Sequence, residues 1–310
     1  MERQSDPNDG RYPNAGLRAP GELGAGATTR PRRVAFVLSG GGSLGSIQVG
    51  AMEALLEKGI YPDMIVGTSV GALNGALLAR EPTLDGVRVI RDIWLSLERG
   101  AVFTGGRRLA FFRLLFGMDH LYTNKGLRRL VTRNLGPITF ADLSLPFLAT
   151  AADVEEGTVH VFDTGPLLPA LLASTAVPGI FPPVTIDGRK YVDGAILSYC
   201  NIETAWQRGA THIVMIESVH RVPDDAFGVL GPIAKALWAA EGRQCRTELE
   251  RFGSRLPTLL VSPDVNVDMD RRERFTAAKE LMSEAREWTL GFLESKSKHW
   301  SSWKARTSTS

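Results

Sequence analysis

Met64-Ile65-Val66-Gly67-Thr68-Ser69-Val70-Gly71, running on into Ala72-Leu73-Asn74-Gly75-Ala76-Leu77-Leu78-Ala79, is the stretch that decides the fold. Its first three residues form an apolar run too short for a helix and suited to a buried strand, and its second half reads as a helix. Ser69 therefore stands on a sharp strand-to-helix turn, with glycine on both sides at Gly67 and Gly71. Such a turn lifts a hydroxyl above the edge of a sheet and tolerates only small neighbours, because bulky ones collide in the bend. A serine held this way is a candidate nucleophile.

A second glycine-rich stretch lies upstream. Val34-Ala35-Phe36-Val37-Leu38 reads as a central strand, followed by Gly40-Gly41-Gly42-Ser43-Leu44-Gly45 and a helix carrying Ile47, Met52, Leu55 and Leu56. Gly40, Gly42 and Gly45 match the spacing of a dinucleotide-binding loop. That function, however, needs an acid at the far end of the next strand to hold a ribose. The next strand runs into Gly67-Thr68-Ser69, and Asp63 lies at its wrong end. No Lys-Ser/Thr pair closes the glycines, so a Walker-type phosphate loop is excluded too. What remains is a row of unhindered backbone N–H groups at a helix N-terminus, able to crowd one negatively charged oxygen. Gly40, Gly41 and Gly42 are the candidate oxyanion donors.

A nucleophilic serine needs a base. Residues 184–197 read as strand, turn, strand, turn, with one Asp-Gly at Asp187-Gly188 and a second at Asp193-Gly194-Ala195. One of these aspartates is turn chemistry, and pattern alone does not separate them. The five histidines (His120, His160, His212, His220 and His299) carry no motif around them. The chain order Ser69, Asp193, His220 would also suit the triad of an ordinary α/β-hydrolase, although only two strands precede Ser69.

Together these blocks resemble the patatin-like phospholipase family. The resemblance rests on Gly40 to Gly45, on Gly67 to Gly71 around the serine, on Asp193-Gly194-Ala195, and on Ala173-Ser174-Thr175-Ala176-Val177-Pro178-Gly179-Ile180-Phe181-Pro182-Pro183 ahead of the aspartate. The blocks occur in family order across about residues 34–217. The resemblance implies a lipid acyl-ester hydrolase, of phospholipase A or lysophospholipase type, that works without histidine. Ser69 would be the nucleophile and Asp193 the base, which settles the aspartate tie by resemblance. It implies no cofactor and no metal, and a lipid or lysolipid ester as substrate. Leu44 departs from the family, which often has Arg or Lys there. A catalytically idle lipid-binding or regulatory protein on the same fold is therefore the alternative from another class.

The rest of the chain fits one large α/β domain. It has 310 residues, 44% of them hydrophobic. Strand-like runs at 34–38, 64–66, 147–151, 159–162, 213–217 and 258–262 alternate with helical stretches. This predicts a mostly parallel central sheet flanked by helices in three layers, over residues 33–294. Its C-terminal part, 224–294, is expected to be a helical cap. Residues 1–32 have no apolar stretch to serve as a signal peptide and read as disordered, as does the basic tail 295–310. No run is long enough for a transmembrane segment. The two cysteines, Cys200 and Cys245, have no metal spacing and do not suggest a disulfide scaffold, which fits a cytoplasmic, reducing compartment.

The net charge of +2 hides an asymmetry, with +2 in the first 33 residues, +4 in the last sixteen and −4 between them. The basic excess belongs to the ends, so nucleic-acid binding is not indicated. Arg107–Phe116 and the Lys298–Lys304 segment with Trp300 and Trp303 combine cations with aromatics, a mixture suited to peripheral contact with an anionic membrane.

Overall fold

The computed structural model describes residues 31–97, 102, 120–218, 231–253, 255–265, 277–300 and 303. Strand β1 (Val34–Leu38) is buried along its whole length. Each of its large apolar side chains contributes about 1.5–3 kcal/mol by leaving water. It lies between two parallel neighbours, β2 (Met64–Thr68) and, from later in the chain, the strand His212–Ile216. Side chains alternate across the sheet. Phe36, Leu38, Ile65, Phe147 and Val214 pack into one core, and Ala35, Val37, Met64, Val66 and Ile213 into another. Two cores on two faces make the three layers the sequence predicts.

On the first face lie helices α1 (Ser46–Glu57), α2 (Val70–Arg80), α3 (Leu84–Ser96) and α4 (Lys125–Leu135). After them come β3 (Phe147–Asp153), β4 (Thr158–Phe162), α5 (Leu167–Ser174), β5 (Val184–Ile186), β6 (Arg189–Asp193) and α6 (Ile202–Gln207). The chain then forms β7 (His212–Ile216), α7 (Gly231–Gly253), β8 (Thr258–Val261), α8 (Ala278–Ser295) and the short α9 (Ser297–Trp300). The described strands form one sheet in the order β5-β6-β3-β2-β1-β7-β8, with β4 on the other edge of β3. Strands β3, β2, β1, β7 and β8 are parallel, and β4, β5 and β6 add an antiparallel region. Asp187 and Gly188, both at positive φ, make the tight turn between β5 and β6.

The C-terminal part contributes two long helices, one to each face of the sheet. Helix α8 lies on α1 so closely that a side chain at Gly50 would meet the Met282 carbonyl oxygen at 2.1 Å. Helix α7 covers the opposite face, with Cys245, Leu249 and Phe252 in its core.

Two expectations are corrected. Cys200 and Cys245 form a disulfide with Cα atoms 5.2 Å apart, although the sequence suggests no disulfide scaffold. A structural disulfide does not point to a reducing compartment, because such bonds are rare in the cytosol. The tail from 295 is also partly folded. Trp300 and Trp303 are buried, with Trp300 Nε1 donating to the Leu293 carbonyl at 2.6 Å and Trp303 edge-on to the His212 ring. Indoles committed to a core do not anchor a membrane. Arg107–Phe116, residues 1–30 and His220 lie outside the described residues.

Candidate active site

Parallel pairing aligns Leu38 of β1 with Gly67 of β2, so the glycine loop and Ser69 leave the sheet side by side at its C-terminal edge. That edge is where open α/β sheets bind ligands. Ser69 has φ 55 and ψ −124, a strained conformation for a residue with a side chain. Glycine is obligatory on both sides of it. A Cβ at Gly67 would meet the Gly71 carbonyl oxygen at 2.5 Å, and one at Gly71 would meet that of Leu38 at 2.3 Å. The Ser69 amide donates to Ser174 Oγ of α5 at 2.9 Å, which helps to hold the turn.

Register also explains how Asp193 arrives. β4 occupies one edge of β3, so β2 and β6 share the other. β2 pairs with it as far as Thr68 opposite Thr150, and β6 begins at the next position, with Asp193 opposite Ala151. The end of β6 thus abuts the end of β2, and two antiparallel directions of approach bring Asp193 to Ser69. The Asp193 amide donates to the Ala176 carbonyl at 3.0 Å, so the Ala173–Pro183 block fixes the aspartate's backbone. Its Oδ1 accepts the Ala195 amide at 3.0 Å. Its Oδ2 is buried with no hydrogen bond of ordinary geometry, and the Ser69 hydroxyl is the side chain that acts on the carboxylate. Long catalytic hydrogen bonds are usual before substrate binds. Burial raises the Asp193 pKa to about 6, against the opposing pull of the Ser69 and Ala195 hydrogen bonds. Gly194 is needed for closeness, since a Cβ there would meet the Thr150 carbonyl at 2.6 Å. Asp187, by contrast, is exposed at a hairpin tip.

The glycine loop is held at both ends by side chains that carried no motif. Gln48 Nε2 donates to the Ser39 carbonyl at 2.9 Å, and Asn74 Nδ2 to that of Gly45 at 2.9 Å. Asn74 also joins Gln48 Oε1 and the Trp94 indole, completing a buried polar chain. The Gly40 carbonyl accepts from Ser39 Oγ and Ser218 Oγ. In a planar trans peptide the following N–H, that of Gly41, must then point the opposite way. Gly41 at φ 150 and Gly42 at φ 58 adopt conformations that favour glycine. A side chain at Gly45 would strike Val70 at 2.3 Å. Leu44 packs with Ile47, Leu281 and Ala285 beneath α8, which gives the departure at this position an apolar role.

Gly40, Gly41, Gly42, Ser69 and Asp193 line one cavity of about 470 Å³. The cavity continues between α2, α3 and α4, along Leu73, Leu77, Trp94, Leu97, Leu127 and Val131. One end is polar, and the remainder is an apolar slot. Glu241, Trp238 and Leu237 of α7 border the cavity as well. Sequence reading missed Gln48, Asn74, Ser174 and Glu241; a polar residue inside an apolar helix was the available signal for the first two. Among the described residues, no cluster of His, Cys, Asp and Glu could hold a metal, and no helix is long and apolar enough to cross a membrane. His160 and His212 take other positions. His160 packs on Phe162 and Tyr191, and His212 on Trp303.

Patatin-like phospholipase domain-containing protein 7 of Rattus norvegicus is 30% identical over 186 residues, covering 59% of this chain and 13% of that protein. Lysophospholipase nte1 of Aspergillus terreus is 28% identical over 218 residues, 68% of this chain and 13% of that protein. The chain thus matches a small part of the length of these relatives. Among solved structures, VipD from Legionella pneumophila aligns with a TM-score of 0.48 and 14% identity, over 86% of this chain and 67% of that one. The Patatin-like phospholipase family profile matches residues 36–206, more than half the sequence, and the chain belongs to that family.

Proposed function

We propose that this chain hydrolyses the acyl ester of a phospholipid or lysophospholipid through Ser69 and Asp193. The observation that carries the reading is the meeting of Ser69, Asp193 and the Gly40–Gly42 amides at the head of an apolar slot. Ser69 Oγ attacks the ester carbonyl as its proton passes to Asp193, and the carbonyl oxygen becomes an oxyanion facing the Gly41 and Gly42 amides. One oxyanion donor is typically worth about 3 kcal/mol of transition-state stabilisation. The alcohol leaves, and water then releases the fatty acid from the acyl-enzyme. The slot between α2, α3 and α4 takes the acyl chain, and no cofactor or metal enters the scheme.

A substrate held in lipid aggregates requires the protein to reach a membrane surface. The cationic, aromatic Arg107–Phe116 segment is the remaining candidate for that contact.

The test is release of fatty acid from a long-chain lysophospholipid, followed against pH. Asp193 accepts a proton only when ionised, and a pKa raised to about 6 leaves it neutral in more acidic solution. The kcat/KM is therefore expected to be half its plateau near pH 6 and to fall about tenfold per further unit of acidification. Absence of fatty-acid release, or full activity retained well below pH 5, would contradict the reading.

A further inference from the structure

A second carboxyl group reaches the same cavity, and the scheme above does not use it. Glu241 borders the cavity from α7, with Ser69 and Asp193 among the other lining residues. Its helix turn is fastened to the segment that follows Asp193. Gln244 Oε1 accepts the Tyr199 amide at 3.3 Å, Cys245 is bonded to Cys200, and Glu248 accepts Ser198 Oγ at 3.0 Å and the Ile202 amide at 2.8 Å. Positions 241, 244, 245 and 248 share one helix face at spacings of three, four and seven. Glu241 is thereby tied to the aspartate's own loop, with a covalent bond one turn away.

Burial, then the charge of Asp193, pushes the Glu241 carboxyl up to about 8, while Asp193 stands at about 6. Near neutral pH one carboxyl is an acid and the other a base. Two titrating groups whose surroundings drive them apart in one cavity are the usual arrangement for paired acid and base roles.

We propose that Glu241 is a second catalytic residue, the acid that protonates the departing alcohol oxygen. This rests on the Ser69–Asp193 reading. In acylation, Ser69 Oγ bonds to the carbonyl carbon and its proton goes to Asp193. The bond from that carbon to the alcohol oxygen breaks, and this oxygen takes the proton of Glu241. The products are a neutral alcohol, an acyl-Ser69 ester, a neutral Asp193 and an ionised Glu241. In deacylation, water bonds to the acyl carbon and gives a proton to Glu241. The Ser69–acyl bond then breaks, Ser69 Oγ recovers its proton from Asp193, and the fatty acid leaves. Both carboxyls return to their starting states.

Glu241→Gln keeps the size and polarity of the side chain and removes its transferable proton. It is compared with wild type on two esters of the same acyl chain, a glycerol ester and a p-nitrophenyl ester. A p-nitrophenolate departs without needing a proton, whereas a glycerol alkoxide needs one. The kcat/KM, which reports events through acylation, is expected to fall about 10²-fold on the glycerol ester and less than about threefold on the p-nitrophenyl ester. Deacylation also loses its base, so the variant should show a burst of p-nitrophenolate and accumulate acyl-enzyme detectable by mass. Near-native kcat/KM on the p-nitrophenyl ester itself reports a folded site. Should the glutamine variant not fold, Glu241→Asp, which keeps an acid, must retain the wild-type ratio between the two esters, and Glu241→Ser must lose it. Equal losses on both esters, or no loss on either, overturn the proposal while leaving the dyad reading intact. An inactive wild type, or Ser69→Ala turning over either ester, would instead overturn the dyad reading.

Discussion

Ser69→Ala is expected to lower ester hydrolysis by about 10⁵-fold, because it removes the oxygen that would form the acyl-enzyme. The change removes one oxygen at a position whose backbone is held by Ser174 and by its own helix. Alanine is the smaller side chain at a strained φ of 55, so the turn survives and folding is little altered. Circular dichroism and the thermal midpoint should match wild type, while fatty-acid release from a lysophospholipid drops to background. A folded Ser69→Ala protein that still turns over the substrate would remove serine from the mechanism.

Asp193→Asn is the second large effect, about 10⁴-fold in kcat. Asparagine keeps the shape and can still accept the Ala195 amide through its carbonyl oxygen. It cannot take the serine proton. Its amide would present N–H donors to the Ser69 oxygen in place of an acceptor, so the loss should fall on kcat with KM nearly unchanged. Asp187→Asn, at an exposed hairpin tip, should leave kcat within about twofold, as surface changes usually do. Comparable losses from both variants would show that Asp193 has no special role. His220→Ala is expected to retain activity. Damage from it equal to that of Asp193→Asn would favour a Ser69-Asp193-His220 triad.

Much of the site was legible because tight backbone approaches demand particular residues. Gly67, Gly71 and Gly194 each sit where a Cβ would strike a carbonyl oxygen within 2.6 Å, so each of these positions requires glycine. β1 and β2 were legible because strands buried on both faces read as continuous apolar runs. The choice between Asp187 and Asp193 was not, since both stand in Asp-Gly pairs and only pairing register distinguishes them. The Cys200–Cys245 bond joins residues 45 apart on separate elements, and no local pattern announces it. Trp300 and Trp303 misled because aromatic residues beside cations suit a lipid surface and a docked helix end equally well. Their burial depends on Leu293, His212 and Arg32 meeting in space. Glu241 was invisible for the same reason, as a lone acid on a long helix acquires meaning only from what it faces.

The central claim is that Ser69 is an activated nucleophile governed by Asp193. A fluorophosphonate carrying a long alkyl chain, followed by intact mass and peptide mapping, tests it most directly. The account predicts one adduct per chain, located on Ser69, formed quickly at pH 8 and slowly at pH 5. It also predicts no adduct in Ser69→Ala and strongly slowed labelling in Asp193→Asn. Label on another residue, or a folded wild-type protein left unmodified, would contradict it.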